Sequence, residues 1–183
     1  MKELSLNILD IAENSIKAGA TLIQISINEN GDELIFEIKD DGCGMKAEML
    51  DDVVNPFCTT RTTRKVGLGI PLLKLASEQT GGELTIHSRH VDEFPADHGT
   101  TVRASFFKGH IDFTPLGDII STVVTLIQGS PDVDFLFTHV KNGASVSLDT
   151  RQLREVLGDD IPLNEIEILN WIKENLREQY SMI

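Results

Sequence analysis

Aromatic side chains are scarce in this 183-residue chain: they make up 5% of it, with a single Trp and a single Tyr. The core must therefore be aliphatic, and a chain of this length can bury one without disulfide or metal staples. Cations are scarce too, with 16 Lys and Arg against 29 Asp and Glu and a formal net charge of −13. That balance excludes broad binding to nucleic acid or an anionic membrane, where clustered Lys and Arg supply the affinity. A small anionic ligand remains admissible wherever the few cations gather. The two cysteines, Cys43 and Cys58, match no metal spacing and form no disulfide framework. They read as small apolar side chains for the interior. No long hydrophobic run exists. The most apolar stretch, residues 119–127, is interrupted by Ser121, Thr122 and Thr125, far short of the ~20 residues of a membrane span. The opening MKELSLNILDIAENS carries acids where a signal peptide would be apolar. The expectation is a soluble cytoplasmic protein with no nucleic-acid and no membrane partner.

What is present is clear periodicity. Residues 3–18 predict an amphipathic helix, with Leu4, Ile8, Ile11, Ala12 and Ser15 on the core side and Asn7, Asp10, Asn14 and Lys17 on the other. Residues 21–28 and 33–39 alternate as strands around an Asn-Gly turn. A glycine-rich turn, DDGCGM, follows, then a short helix over 46–53. Periodicity disappears in NPFCTTRTTRK. A helix over 70–79 and strands over 83–89 and 100–107 come next. This order predicts an α/β sandwich, mostly antiparallel, with helices on one face, over residues 1–109. Residues 108–117 form a joint to a small α+β unit, 110–183. It comprises a helix over 118–128, strands over 133–140 and 144–148, a short helix capped by Asp149 or Thr150, and a last helix over 163–180.

Three segments carry chemistry. Asp10 and Asn14 are four residues apart on one helical face, with Lys17 three further on. Carboxylate, amide oxygen and ammonium together suit a metal–phosphate site, although the same spacing describes a solvated outer face. In DDGCGM, Gly42 and Gly44 permit close backbone approach, and an Asp at the mouth of the turn can accept from an exocyclic amine. An ordinary Asp-Gly turn reads the same way. Residues 57–69 hold Arg61, Arg64 and Lys65 and no acid, beside Thr59 and Thr60, and run through Gly67-Leu68-Gly69 into a helix start that favours anions. A surface loop is the plain alternative. No GxxxxGK[ST] or GxGxxG fingerprint is present.

Taken together and in this order, the segments resemble the GHKL superfamily of ATP-binding domains: gyrase, the heat-shock chaperone, histidine kinases and the mismatch-repair ATPase. Residues 10–20, DIAENSIKAGA, resemble its N box, and 40–44, DDGCG, its DxGxG box. Residues 56–61, PFCTTR, resemble the opening of the histidine-kinase ATP lid, and Gly67-Leu68-Gly69-Ile70 the second glycine box. Gly81-Gly82 and Gly99-Thr100 resemble its later turns. The resemblance covers residues 3–108 and implies a Bergerat-type fold, a two-layer α/β sandwich, that binds ATP with Mg²⁺. It implies that Asn14 holds the metal, Asp40 accepts from the adenine amine and Thr100 lies near the base. It also implies that Lys17, Thr59, Thr60, Arg61 and Leu68 serve the nucleotide and the lid, and that Gly42, Gly44, Gly67 and Gly69 let the backbone hug the ligand. Where family ATPases carry a general-base Glu, this chain has Asp10, one methylene shorter. ATP binding is the firmer expectation and turnover the weaker one.

Within the superfamily, a slow ATPase or ATP-gated regulatory switch is the primary expectation. The alternative is a stand-alone serine/threonine protein kinase of the anti-sigma-factor type, or a histidine-kinase-like subunit acting in trans. None of His87, His90, His98, His110 or His139 sits in a phosphoacceptor motif, and His139 reads as structural. The last helix spreads Ile166, Leu169, Ile172, Leu176, Ile168 and Trp171 over a wide arc. A protein partner or homodimer through residues 110–183 is therefore expected.

Overall fold

In the computed structural model, residues 3–54, 69–158 and 161–183 are described. Alternating Ile and polar residues form β1 (Leu22–Asn30), which Gly31, at φ 56°, turns into β2 (Glu33–Asp40). Ahead of the hairpin lies α1 (Leu4–Lys17), burying Leu4, Ile8, Ile11 and Ala12 as its spacing predicts. Asn7, expected on the polar side, is also buried. After β2 come α2 (Ala47–Val54), α3 (Gly69–Gln79), β3 (Leu84–Arg89) and β4 (Gly99–Phe107). The chain continues through α4 (Ile119–Gly129), β5 (Asp134–Lys141), β6 (Ala144–Asp149), α5 (Thr150–Leu157) and α6 (Ile166–Tyr180). Asp149 caps α5 by accepting from the Arg151 N–H, while Thr150 is buried.

The strands form one open sheet in the order β3-β4-β2-β1-β5-β6. Every pairing is antiparallel except β1 with β5, which run parallel. One set of alternating side chains is buried under the helices: Ile23, Ile25 and Ile27 of β1, Phe36 and Ile38 of β2, Val102 and Phe106 of β4, Phe135 and Phe137 of β5. The intervening residues, such as Gln24, Ser26, Lys39, Thr101 and Thr138, lie on the opposite, more open face. This is the two-layer Bergerat-type sandwich. The sheet continues across position 109/110, and residues from both sides, Leu4 and Phe36 with Phe135, Leu163 and Ile172, share one buried cluster. No described helix is long and apolar enough to cross a membrane.

Candidate functional site

The register between β2 and β4 sets the site. Asp40, the last residue of β2, stands opposite Thr100 and is only 7% exposed. Its Oδ1 accepts from the backbone N–H of Gly42 at 3.0 Å and of Thr100 at 3.1 Å. Its Oδ2 accepts from the Ser15 hydroxyl at 2.6 Å. A carboxylate offers about four lone-pair sites, so three are taken and one remains for the space in front of it. That space is a pocket of about 310 Å³, lined by Asp10, Asn14, Asp40, Gly44, Gly69 and Thr100 on its polar side. Ile11, Met45, Met49, Val53, Ile70 and Val102 supply an apolar wall. An apolar slot with few convergent polar groups suits a flat heteroaromatic ring with an exocyclic donor.

The glycines of the turn are positional. Gly44 has φ 69°, and a Cβ there would stand 2.0 Å from the Arg89 carbonyl oxygen. A Cβ on Gly42 would press on Ala18 and Asp40 at 3.0–3.1 Å. The neighbouring Asp41 is turned away: Oδ1 accepts from the N–H groups of Thr21 and Leu22 at 2.8 and 2.9 Å, and Oδ2 from the Thr21 hydroxyl. Burial pushes the Asp41 carboxyl up, but those donors outweigh it and hold it below its ordinary value. Asp41 therefore anchors β1, and Asp40 alone of the pair faces the pocket. The Thr100 hydroxyl lies 2.8 Å from Ser88 Oγ, which itself accepts from the Met45 N–H at 2.7 Å.

On α1, Asp10 and Asn14 face the pocket one turn apart. Gly69, at the start of α3, abuts Asp10: a Cβ there would lie 1.7 Å from Asp10 Oδ2, so any side chain at 69 would displace the carboxylate. Lys17 is not among the lining residues. It is 69% exposed and pairs with Glu13 at 3.6 Å. The expected Thr59, Thr60, Arg61, Gly67 and Leu68 lie outside the described residues, as does Cys58. Cys43 corrects the sequence reading, because it is exposed rather than buried. Its N–H donates to the Ala18 carbonyl and its carbonyl accepts from Val91, which leaves the side chain outward. The sequence placed Ser15 on the core side of α1 without seeing its role against Asp40. A lone hydroxyl in an otherwise apolar stripe was the available signal.

No described cluster of three His, Cys, Asp or Glu could hold a metal by itself. Asp10 and Asn14 nevertheless fit Mg²⁺, which takes one or two protein oxygens and completes its shell with phosphate oxygens and water.

The family of histidine kinase-, DNA gyrase B- and HSP90-like ATPases matches residues 2–110. The chain belongs to that family. As a histidine kinase-like ATPase domain it is 32% identical over 85 residues to the sensor histidine kinase CitA of Klebsiella pneumoniae, covering 45% of this chain and 16% of that protein. Against the DNA mismatch repair protein MutL of Mannheimia succiniciproducens it is 26% identical, with 91% of this chain and 33% of the relative covered. The chain thus spans between a sixth and a third of these relatives. Its fold is shared with the Aquifex aeolicus MutL ATPase domain complexed with ADP, at a TM-score of 0.54 and 16% identity, over 86% of this chain and 69% of that one. A second solved structure, the N-terminal domain of a DNA repair protein, superposes with a TM-score of 0.56 at 18% identity, over 87% of this chain and 58% of that one. Both likenesses extend past the family-matched segment into residues 110–183.

Proposed function

We propose that this chain binds Mg²⁺-ATP in the pocket between α1, the turn after β2 and the start of α3, and acts as a slow ATPase or ATP-gated switch. The observation that carries the proposal is the enclosed Asp40 carboxylate. Three internal donors fix it in place, and one acceptor position faces an apolar slot. Fixed that way, it accepts from the adenine 6-amino group and rejects a 6-oxo purine, which would set acceptor against acceptor. Asn14 and Asp10, beside Gly69, place oxygen donors where the triphosphate would run. Mg²⁺, when bound there, supplies charge neutralisation for the phosphates. Asn14 serves as its protein ligand and Asp10 orients or deprotonates the attacking water. Asp10 is one methylene shorter than a Glu, and a displacement of that order can cost ~10²-fold in rate. Switching is therefore favoured over fast turnover. Lys17 must leave Glu13 to reach a phosphate. Thr59, Thr60, Arg61, Gly67 and Leu68 complete the proposal as the lid. We also propose that residues 110–183 carry an interaction surface, for a protein partner or a second copy.

Incubation with γ-labelled ATP and calorimetry with Mg²⁺-ATP test this. Saturable binding with slow phosphate release is the expected result; Asp10→Asn should keep the binding and lose the release, and Asp10→Glu should raise the release. Transfer of label to a protein would make the chain a kinase. Failure to bind ATP would overturn the assignment of the pocket.

A further inference from the structure

Behind the wall of the pocket, a residue that does not line it holds two that do. Ser88 stands opposite Thr100 in the β3–β4 register, and Thr100 stands opposite Asp40 in the β4–β2 register. Opposite residues of neighbouring strands carry their side chains on the same face, so Asp40, Thr100 and Ser88 form one row across three strands. Asp40 and Thr100 line the pocket, and Ser88 lies beyond them on β3, at the end of the sheet. Ser88 Oγ accepts from the Met45 N–H at 2.7 Å. It lies 2.8 Å from Thr100 Oγ1 and 3.2 Å from the Gly99 carbonyl oxygen. One hydroxyl thereby fastens the glycine turn to the start of β4, from a strand that contributes nothing to the pocket lining.

The direction of each hydroxyl hydrogen follows from these distances. Ser88 carries one proton and two lone pairs, and the Met45 N–H takes a lone pair. Two oxygens then compete for the proton. Thr100 Oγ1 lies within the ordinary O–H···O range, which ends at about 3.0 Å, and the Gly99 carbonyl lies beyond it. Ser88 therefore donates to Thr100. Thr100 Oγ1 accepts from behind, and its own proton is left for the pocket. Its neighbour in the row, the Asp40 carboxylate, is held by three donors and only accepts. The row thus offers a ligand an acceptor and, beside it, a donor. Adenine offers the complementary edge: its 6-amino group donates and its ring N1 accepts. A 6-oxo purine inverts both. We propose that Ser88 is a positioning residue for base recognition, which keeps the Thr100 hydroxyl turned as a donor to ring N1, so that the pocket reads two adjacent atoms of the base. The inference rests on reading this pocket as an ATP site and adds the residue that sets the polarity of the second contact.

The probe is 1-deaza-ATP, which keeps the 6-amino group and the triphosphate and has C–H in place of ring N1. In calorimetry with Mg²⁺, the parent is expected to bind ATP about fivefold more tightly than 1-deaza-ATP, the worth of one neutral hydrogen bond. Ser88→Ala frees the Thr100 hydroxyl among roughly three staggered wells, so the preference should fall to about twofold. Ser88→Thr returns a hydroxyl to the same place and should restore the preference. In a Thr100→Val background, which lacks the donor, Ser88→Ala should change the ratio no further. A Ser88 that only stiffened the turn would weaken both nucleotides alike, in either background. An unchanged ratio in Ser88→Ala overturns the proposal, and so does equal binding of the two nucleotides by the parent. In both of those cases the pocket remains an ATP site. Failure of the parent to bind ATP would remove the underlying reading itself.

Discussion

Two enclosed carboxylates stand at opposite ends of the same β1–β2 hairpin, and their surroundings differ in kind. At one end Glu29 is tied to a cation and an imidazole. Its Oε2 accepts from Lys108 at 2.9 Å, its Oε1 from His139 Nε2 at 3.1 Å, and His139 Nδ1 meets the Tyr180 hydroxyl at 2.7 Å. The network joins β1, β5, α6 and the segment after β4, and no pocket adjoins it among those described. At the other end Asp40 makes no ion pair with a cation among the described residues. Hydroxyl and amide donors hold it, and it forms part of the wall of a pocket. A buried charge closed by its own counter-charges is a tie between elements. One held by neutral donors with an acceptor site to spare is available to a ligand.

The turns at the two ends extend the contrast and give the largest expected effect. Gly44, beside Asp40, combines φ 69° with the Arg89 carbonyl 2.0 Å from where a Cβ would sit. Gly31, at the Glu29 end, has φ 56° and nothing within 4 Å. Gly44→Ala should cost about 3 kcal/mol or more, from clash and strain together. Gly31→Ala should cost about 1 kcal/mol, from strain alone. Urea unfolding of the two variants measures the difference. Equal costs would mean that the turn at the pocket yields, and that Asp40 is less firmly placed than its hydrogen bonds indicate.

A smaller effect separates the carboxylates themselves. Asp40→Asn keeps an oxygen for Gly42 and Thr100 but turns an amide donor towards Ser15, so the fold should survive. ATP affinity should fall by about tenfold or more, since a hydrogen bond to a charged group is worth roughly 1.5–3 kcal/mol. Glu29→Gln should leave ATP affinity unchanged and lower stability instead. Calorimetric titration of both variants checks the pair. If Asp40→Asn binds ATP as the parent does, the spare acceptor site is not used by the base.

Much of this was legible in the chain because it was local. The i, i+4 spacing of Asp10 and Asn14 needs only a helix, and the Asn30-Gly31 turn fixes the β1–β2 register. What stayed hidden depends on distant pairing. His139 reaches Glu29 only because β5 lies parallel to β1, a pairing with no turn signal to announce it. The same pairing carries the sheet past residue 109, where composition alone suggested a joint. The exposure of Cys43 follows from its backbone hydrogen bonds to Ala18 and Val91, and a hydrophobicity scale contains neither. Ile166, part of the wide apolar arc of the last helix, is 75% exposed, and the stripe that packs begins at Leu169.

The smallest effect is the pH dependence contributed by the Glu29 end. Burial pushes the His139 ring below its ordinary value of 6.5, more strongly than Glu29 raises it. The unfolded chain therefore binds the proton more readily, and stability is lost as pH falls below about 6.5. Burial pushes Glu29 up, but Lys108, His139 and Lys141 together hold it below its ordinary 4.5, which adds a further loss below that value. Tyr180 behaves in the opposite sense. Burial first, and the Glu29 charge second, raise its pKa above the ordinary 10.0, so its contribution is intact below pH 10 and fades above it. Tyr180→Phe removes one hydrogen bond from His139 and should cost about 1 kcal/mol at neutral pH. It should also flatten the loss of stability above pH 10 relative to the parent. Tyr180 is the only Tyr in the chain, so the phenolate absorbance of the folded parent titrates this one group. A midpoint at the ordinary value, or an unchanged alkaline slope in Tyr180→Phe, would show that the network is open to solvent. The contrast with the Asp40 end would then fail.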